Sequence, residues 1–317
     1  MVTLIKKPQL ENPSLVAAWP GMGMVAYNAV NYLKNKLQAT SLAKLDSDDY
    51  FAPTSANVEK QVIRPLKKPE NKFYYHKSAD GKSDILFFIG NVQPIPHLEY
   101  RFAREIINTA RTYGIQRVYT TAAAPSDMDI GVKPRVFAAP NSRVLLRDLV
   151  DYSVHFMGDG SIAGLNGLLI SVAREMEIDG ICLLGEIPFF TAQIEFPRAS
   201  LEVLSVLADL LHVSIDMVDL ELYADSKDRE IKALASQLTK MPRNSENTEQ
   251  NEGVLPGKGD SVDSTVRTSI ENLFRQAEFD QTYKSKMRLK EELDRHELFD
   301  EYLDRFLDLF KKSKDQR

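Results

Sequence analysis

The stretch DILFFIG, residues 84–90, decides the fold of this 317-residue chain. It places five apolar residues in a row, which is typical of a central strand covered on both faces rather than of a half-exposed strand with alternating polarity. A strand covered on both faces needs a layer of helices on each side of its sheet. The stretch therefore predicts an α/β domain in which helices flank a buried sheet.

The segments on either side of this stretch alternate between strand and helix patterns. Short apolar runs predict further strands over residues 14–19, 41–46, 57–64, 72–76, 116–121, 135–139 and 180–185. Apolar residues at helical spacing predict helices over residues 22–37, 97–113, 158–177, 198–211 and 215–241. Residues 57–64 and 72–76 have the character of a meander or hairpin. The sequence thus predicts an α/β fold that is a three-layer αβα sandwich around a mixed sheet.

The composition changes after residue 241 and predicts three regions. Residues 1–241 form the α/β domain, and the polar stretch 242–262, which contains glycine and proline, has the composition of a disordered linker. Residues 263–317 form a charged helical segment with an amphipathic helix near its end.

The apolar face of this last helix is rich in aromatic residues. The candidates for partner binding on it are Phe299, Tyr302, Phe306 and Phe310. Two interpretations stay open for this face. It packs against the chain's own domain, or it contacts another subunit or a partner protein.

The overall composition narrows the classes of function. The net charge is −5 and 27% of the residues are charged, which predicts neither nucleic-acid binding nor membrane-surface binding. No run of about 18 apolar residues indicates a spanning helix, and the N-terminal residues lack the apolar core of a signal peptide. Cys182 is the single cysteine, so no disulfide framework is expected. A cytoplasmic location is the resulting expectation.

Two glycines in WPGMGMVAYNAVNYL, residues 19–33, follow the first strand and precede the first helix. Gly21, Gly23 and Ala26 have the G-x-G-x-x-A spacing with which a helix N-terminus holds dinucleotide phosphates. Asp46 lies at the distance expected for a ribose-binding acid. However, the residues after it do not continue into a second crossover helix. We therefore favour a tight strand-to-helix turn, with ligand contact as the alternative.

A second glycine cluster, GDGSIAGLNG, covers residues 158–167 at the start of a predicted helix. Ser161 is the candidate N-cap of this helix. Gly164 and Gly167 fall within it, where a glycine costs about 1 kcal/mol relative to alanine. Close packing against the sheet or room for a ligand would offset that cost. Asn166 adds a polar group that needs a partner if it is buried.

Polar residues at the predicted strand ends complete a candidate ligand-binding rim, because open α/β sheets bind ligands at the carboxyl ends of their strands. Asn91 and Gln93 follow the central strand, and Glu186 follows the last strand. The candidate rim comprises Gly21, Gly23, Asn91, Gln93, Asp159, Asn166 and Glu186. The alternative is that these residues cap loops and pack in the interior.

The sequence offers no catalytic constellation. The five histidines are scattered, and Cys182 lies in the middle of a predicted strand. No G-x-S-x-G, P-loop or C-x-x-C motif occurs. We therefore predict no catalytic residue, no metal and no cofactor.

Several stretches, taken in order, resemble one family. They are WPGMGMVAYNAVNYL from residue 19, DILFFIGNVQP from 84, AREIINTARTYGIQRVYTTAAAP from 103, GSIAGLNGLLISVAREMEIDGICLLGEIPFF from 160 and SLEVLSVLADLLHVSIDMVDL from 200. Their order and spacing are similar to the proteasome assembly chaperone family of the second-chaperone type, in its bacterial and archaeal branch. The resemblance covers residues 14–222, and no single motif in it is diagnostic.

This resemblance implies a three-layer αβα sandwich like that of the purine nucleoside phosphorylases. It also implies association into homo- or hetero-oligomers and no established catalysis. Relatives that dock on proteasome rings can end in a hydrophobic–tyrosine–any tail. This sequence ends in Lys314-Asp-Gln-Arg317, so it departs from the family in that tail and proteasome binding is not implied.

Two hypotheses of function result. The first is a non-catalytic, self-associating scaffold or assembly factor whose partners are copies of itself and another protein complex. The alternative is a small-molecule enzyme or sensor that binds a nucleoside or nucleotide-like ligand at the candidate rim. The sequence favours the first hypothesis, because the family resemblance supports it and few residues are candidates for catalysis.

Overall fold

The computed structural model of the chain describes residues 2–4, 8–45, 48–52, 56, 58–66, 68–78, 84–240, 270–277, 283–296, 298–299, 302, 305–306 and 309. The chain divides into two compact units, Met1–Met241 and Pro242–Arg317, called unit 1 and unit 2. The predicted linker, residues 242–262, lies outside the described residues. None of the helices described is long and apolar enough to cross a membrane.

Unit 1 is built on a large β-sheet. Its strands, in chain order, are β1 Val2–Leu4, β2 Ser14–Ala18, β3 Thr40–Leu45, β4 Val58–Glu59, β5 Val62–Ile63, β6 Asn71–His76, β7 Ile85–Gly90, β8 Arg117–Ser126, β9 Val136–Pro140, β10 His155–Phe156 and β11 Asp179–Pro188. Nine of them form one sheet in the order β1-β3-β6-β7-β2-β8-β11-β9-β10. The other two, β4 and β5, form a separate hairpin.

The centre of the sheet is parallel, and antiparallel pairs join it to the strands on either side. Strand β2 lies parallel to both β7 and β8, and β8 runs parallel to β11 along the whole length of both strands. Strand β6 is antiparallel to β7, and β9 is antiparallel to β11. The mixed sheet predicted from the sequence is therefore confirmed. The edge strands are short, since β1 has three residues and β10 has two.

Helices cover both faces of the sheet. They are α1 Val25–Lys36, α2 Glu99–Arg111, α3 Arg143–Asp148, α4 Leu165–Glu175, α5 Pro197–Leu210 and α6 Val218–Lys240. One face packs against α1 and α5, where Leu33 and Val203 join the same core as Phe87. The other face packs against α2 and α4, where Phe102 and Leu169 join the core of Phe88. Every residue of β7 is buried, as the apolar run predicts, and the three-layer sandwich is confirmed.

The predicted start of α4 was wrong. The helix begins at Leu165, not near residue 158, and its N-cap is Gly164 with φ +76° rather than Ser161. Only glycine adopts this backbone readily, so Gly164 stops the helix from extending backward. Gly167 lies in the first turn of α4, and a Cβ there would meet the carbonyl oxygen of Ile162 at 2.3 Å. Close packing explains this glycine, but it packs against the preceding loop and not against the sheet.

Two other features differ from the sequence prediction. Strand β11 extends to Pro188, so Glu186 lies inside the strand instead of following it. The short helix α3 has no counterpart in the predicted elements, because six residues are too few to show a helical period. The Ser142 hydroxyl caps it by accepting a hydrogen bond of 3.2 Å from the Val144 N–H.

In the part of unit 2 that the structure describes, residues 270–277 and Tyr283–Arg295 are helical, as are the separate described residues 299, 302, 305–306 and 309. Their apolar residues form a small core that includes Phe274, Leu289 and Leu293. The Arg305 guanidinium lies 2.6 Å from the Glu271 carboxylate. Unit 2 is therefore a helical body with its own buried core.

Candidate functional site

Three segments of unit 1 meet at the carboxyl end of the parallel strands. They are the turn that follows β2, the loop that follows β7 and the start of α4. This is the place where the sequence predicts a ligand rim. The contacts made here by Gly21, Gln93 and Asn166 decide what the region does.

Asn166 connects α4 to the end of β2. Its side chain is buried, its Oδ1 accepts a hydrogen bond of 3.2 Å from the Trp19 N–H, and its Nδ2 donates one of 3.4 Å to the Trp19 carbonyl. A Cβ at Gly21 would lie 3.8 Å from the same Nδ2. The amide thus supplies the partners that Trp19 loses where the strand ends.

Gln93 makes a second connection between the same segments. Its Nε2 donates to the Pro20 carbonyl at 2.9 Å, and its Oε1 accepts from the Leu165 N–H at 3.0 Å. The Leu165 N–H is one of the free amides at the start of α4. Gln93 and Asn166 therefore form a brace, the amide brace, that joins β2, β7 and α4 through main-chain atoms.

The Gly23 turn is held by main-chain hydrogen bonds to another loop. The Gly23 N–H donates to the Ala192 carbonyl at 3.0 Å, and the Gly23 carbonyl accepts from the Phe196 N–H at 2.9 Å. The Gly23 residue is buried and has φ +62°, a left-handed backbone that favours glycine. The N–H that a phosphate would need is already engaged, so this geometry favours the tight turn over a phosphate cradle.

The other predicted rim residues lie outside the amide brace. Asn91 is exposed, and its Oδ1 accepts a hydrogen bond of 2.8 Å from the Glu70 N–H. Asp159 is exposed in the loop before α4 and makes no hydrogen bond or ion pair with a residue that the structure describes. The structure thus brings together Gly21, Gln93 and Asn166 and does not join these two to them.

Glu186 is buried in a structural ion pair. Arg135 holds its carboxylate through two side-chain contacts, Nη2 to Oε1 at 2.6 Å and Nε to Oε2 at 2.9 Å, and the Arg135 N–H adds a third at 3.1 Å. The Ser126 hydroxyl donates to Oε1 at 2.8 Å. The Arg135 hydrogen bond is the largest cause of a lowered Glu186 pKa. This carboxylate ties β8 and β11 to the residue before β9.

Cys182 lies fully buried in β11. Burial raises the pKa of its thiol to about 12, which leaves it protonated and unreactive at neutral pH. Among the residues described, no group of three or more histidine, cysteine, aspartate or glutamate side chains is placed to hold a metal ion.

A groove that the sequence does not predict runs beside α4 and the end of β9, with a volume of about 850 Å³. Arg143 and Arg174 line it, both are exposed, and neither forms an ion pair with a described residue. Phe156 adds an apolar wall, and burial raises the pKa of Glu99 at the margin. Gly158 also lines the groove, so the second glycine cluster of the sequence lies at this groove. No pattern in the sequence indicates that these two arginines line one groove.

The predicted partner-binding face of the last helix is largely covered within unit 2. Phe306 is 6% exposed and belongs to the core of this unit, and Phe299 and Tyr302 pack against that core. Phe299 contacts Phe306 with ring centroids 5.4 Å apart. Phe310 lies outside the described residues.

Comparison with known proteins gives matches that cover unit 1. A family profile described as the PAC2 family matches residues 15–235. An uncharacterised protein of Methanocaldococcus jannaschii is 27% identical over 230 residues, which cover 71% of this chain and 84% of that protein.

Two solved structures of Pyrococcus furiosus proteins are also similar. PbaB, described as an archaeal proteasome activator, is 25% identical with a TM-score of 0.63, covering 74% of this chain and 98% of its own. PbaA, described as an archaeal homolog of proteasome-assembly chaperone, is 24% identical with a TM-score of 0.58, covering 75% of this chain and 93% of its own. The second match shows a shared fold.

Proposed function

Because this chain belongs to the PAC2 family, we propose that it is a non-catalytic protein that associates with copies of itself and acts as an assembly or scaffold factor for another protein complex. The similarity to PbaB, described as a proteasome activator, supports a role exercised through protein contacts. A cytoplasmic location is part of the proposal, because a single buried cysteine suits a reducing compartment.

The proposal rests on what the polar groups at the carboxyl end of the sheet bind. In enzymes and sensors with open α/β sheets, such groups face a ligand. Here the side chains of Gln93 and Asn166 bond to main-chain atoms, and the Gly23 N–H bonds to the loop before α5. The region supports the fold of unit 1, which leaves the outer surfaces to perform the function.

Size-exclusion chromatography with light scattering on the purified full-length chain tests self-association. We expect a mass that is a multiple of the 35.8 kDa chain. Affinity purification of a tagged chain from its native cells, with subunit identification, tests whether a defined complex is retained. A monomer that retains no protein partner would contradict the proposal.

The groove beside α4 supports a second candidate function, the binding of an anionic small molecule with an apolar part. Two exposed guanidinium groups without carboxylate partners in the described structure, Arg143 and Arg174, face the same cavity as the ring of Phe156. Guanidinium groups bind phosphate and carboxylate oxygens in a bidentate manner. A nucleotide or another phosphorylated compound has the chemistry that this lining would recognise.

Thermal-shift measurements with inorganic phosphate, nucleotides and nucleosides test this candidate. A ligand at one hundred times its dissociation constant stabilises the folded chain by about 2.7 kcal/mol. We expect Arg174→Ala to remove such a shift and Arg111→Ala, at an exposed position outside the groove, to keep it. A flat response to every compound would exclude the candidate for the ligands tried.

A further inference from the structure

The groove beside α4 has two ends of different character. Strand β9 runs antiparallel to β11, so Pro140 at the end of β9 lies opposite Ile181, near the amino end of β11. Arg143 follows this strand end, and Arg174 is next to the last residue of α4. Residues of the loop 158–164, which leads into the start of α4, line the other end of the groove. The two arginines therefore share one end, and the glycine-containing loop lies at the other.

Asn141 holds the arginine end of the groove together. Its Nδ2 donates to the Ile170 carbonyl of α4 at 3.3 Å, and its Oδ1 accepts from the Gly180 N–H of β11 at 3.0 Å. Arg143 is two residues after Asn141, and Arg174 is one helical turn after Ile170 on the same face of α4. Because arginine side chains are long, both guanidinium groups can reach one anion that lies between these segments.

The polar groups at this end are available to a ligand. Arg143 and Arg174 form no ion pair with a residue that the structure describes, and the Glu175 carboxylate beside Arg174 lies 3.8 Å from Arg104 instead. The Ser171 side chain also lines the groove, one turn before Arg174, and makes no hydrogen bond with a described residue. Two guanidinium groups and a hydroxyl donor have the chemistry that binds a phosphate group.

Glu99 is the one acidic residue among the described residues that line the groove. It is partly buried, it forms no hydrogen bond or ion pair with a described residue, and burial raises its pKa. The next residue, Tyr100, donates to Glu175 at 2.5 Å, so Glu99 lies beside the arginine end of the groove. A carboxylate accepts hydrogen bonds from hydroxyl groups. A ligand that carries both a phosphate and hydroxyl groups therefore matches the charged groups of both signs.

Phe156 supplies an aromatic surface midway along the groove. Its ring is 45% exposed, and the residue pairs with Ala138 in the middle of β9. Met157 and Ile162 add further apolar lining. A nucleobase packs its flat face against an aromatic ring of this kind. The volume of about 850 Å³ also falls in the range of small-molecule pockets, so the groove has room for more than a phosphate ion.

We propose that this groove binds a ribonucleoside monophosphate. Arg143 and Arg174 hold the phosphate. Glu99 accepts hydrogen bonds from the ribose hydroxyls, and Phe156 packs against the base. Phosphate, ribose and base follow one another in the ligand in the same order as these residues follow one another along the groove. The inference rests on the second candidate function, the binding of an anionic small molecule, and names the ligand class and the residues that bind each part of it.

Isothermal titration calorimetry on the full chain tests the ligand class with inorganic phosphate, ribose phosphate, AMP, UMP and adenosine. We expect at least one of the two nucleotides to bind about fivefold or more tightly than ribose phosphate, because of the base contact. Ribose phosphate should bind more tightly than inorganic phosphate, because it adds the hydroxyl groups. Adenosine lacks the phosphate and should bind about tenfold or more weakly than AMP.

Matched variants test the residue assigned to each part of the ligand. Glu99→Ala should weaken the binding of ribose phosphate but not of inorganic phosphate. Phe156→Leu should weaken the binding of nucleotides but not of ribose phosphate, and Phe190→Leu is its control, because Phe190 is 44% exposed and lies outside the groove. Arg174→Ala should weaken the binding of every phosphate compound by about tenfold or more, whereas Arg111→Ala should not. Thermal midpoints of the ligand-free variants equal to that of wild type show that the fold is intact.

The outcomes separate this inference from the candidate function on which it rests. The nucleotide assignment is excluded, and anion binding stands, if inorganic phosphate binds as tightly as AMP and UMP. The same conclusion follows if Phe156→Leu and Phe190→Leu bind nucleotides alike, or if Glu99→Ala binds ribose phosphate as wild type does. If no phosphate compound binds, anion binding fails and the nucleotide assignment fails with it.

Discussion

At the scale of single residues, the spacing of Gly21 and Gly23 is compatible with two interpretations, a tight turn and a phosphate cradle. Gly21 has φ −163°, an extended backbone open to any residue, whereas Gly23 has φ +62°. Only the second glycine is required by its backbone. In a phosphate cradle both glycines would be needed for the approach of the ligand. In a tight turn only Gly23 is needed, so substitutions at the two positions distinguish the interpretations.

Substitution of each glycine by alanine tests this difference. We expect Gly23→Ala to lower the free energy of unfolding by about 1–2 kcal/mol, because a Cβ in a left-handed backbone is strained. It would also meet Val25 Cγ2 at 3.3 Å. Gly21→Ala should change the free energy by less than about 0.5 kcal/mol. Urea denaturation measures both, and equal losses would contradict the turn interpretation.

The buried carboxylate of Glu186 makes the folded chain less stable as the pH falls. Its pKa is lower in the folded chain than in the unfolded chain, chiefly because Arg135 donates hydrogen bonds to it. The ion pair therefore contributes stability above the ordinary pKa of a glutamate. That contribution is lost as the pH falls through the lowered native value.

Two variants check this prediction. Arg135→Ala leaves the carboxylate buried without its cation and should cost about 1–3 kcal/mol at neutral pH. Glu186→Gln should reduce the loss of stability on acidification relative to wild type. Urea denaturation at a series of acidic pH values measures both effects. An acid dependence in Glu186→Gln as steep as in wild type would show that other groups are responsible.

At the scale of elements, α4 is positioned at its first turn. Gly164 ends the preceding loop, and Gln93 and Asn166 tie the helix start to main-chain atoms after β2. These are hydrogen bonds to buried main-chain groups, which are costly to leave unpaired. The amide brace therefore fixes where α4 begins relative to the sheet.

Removal of one arm of the brace has a defined cost. We expect Asn166→Ala to destabilise unit 1 by about 1–3 kcal/mol, because the Trp19 N–H and carbonyl lose their partner. Asp159→Ala, in the exposed loop nearby, is the control and should stay within about 0.5 kcal/mol of wild type. Guanidinium denaturation measures the difference. A loss no larger than that of the control would assign the brace a minor role.

At the scale of the whole molecule, each of the two units has its own core. Unit 1 buries side chains on both faces of its sheet, and unit 2 buries a smaller set that includes Phe274, Leu289 and Phe306. The sequence left open whether the aromatic face of the last helix packs internally or binds a partner. Within unit 2, the described aromatic residues of that face pack against the core of the unit, which accounts for their apolar character.

A substitution in this face distinguishes the two interpretations. We expect Phe306→Ala to destabilise unit 2 by about 3–5 kcal/mol, because it removes a large buried side chain. Hydrogen exchange should then accelerate in the helix Tyr283–Arg295. Glu291→Ala, at an exposed position of that helix, is the control. Unchanged exchange combined with loss of a bound partner would favour the partner interpretation.

Much of the fold was predictable because the deciding signals are local. The apolar run in β7 and the helical spacing in α2 identify their elements from consecutive residues alone. The start of α4 was not predictable, since it depends on the left-handed Gly164 and on the close approach of Ile162 to Gly167. Neither feature produces a repeating pattern of apolar residues in the sequence.

The sequence indicated some of the residues that meet at the carboxyl end of the strands but not the contacts that their side chains make. Gly21, Gln93 and Asn166 come together at the strand ends, where Gly21 and Gln93 follow β2 and β7 and Asn166 lies in the first turn of α4. Their roles depend on partners more than 70 residues away in the chain, which no local pattern shows. The same is true of Glu186, whose partner Arg135 is 51 residues away.

The short edge strands of the main sheet have a consequence for the behaviour of the chain at high concentration. With three residues in β1, two in β10 and a proline at the end of β9, the edges offer a neighbouring chain little main chain to join. Growth of a continuous intermolecular sheet, the first step toward amyloid fibrils, is disfavoured. If the chain associates with its own copies as proposed, these short edges favour contacts between side chains over contacts between strand edges.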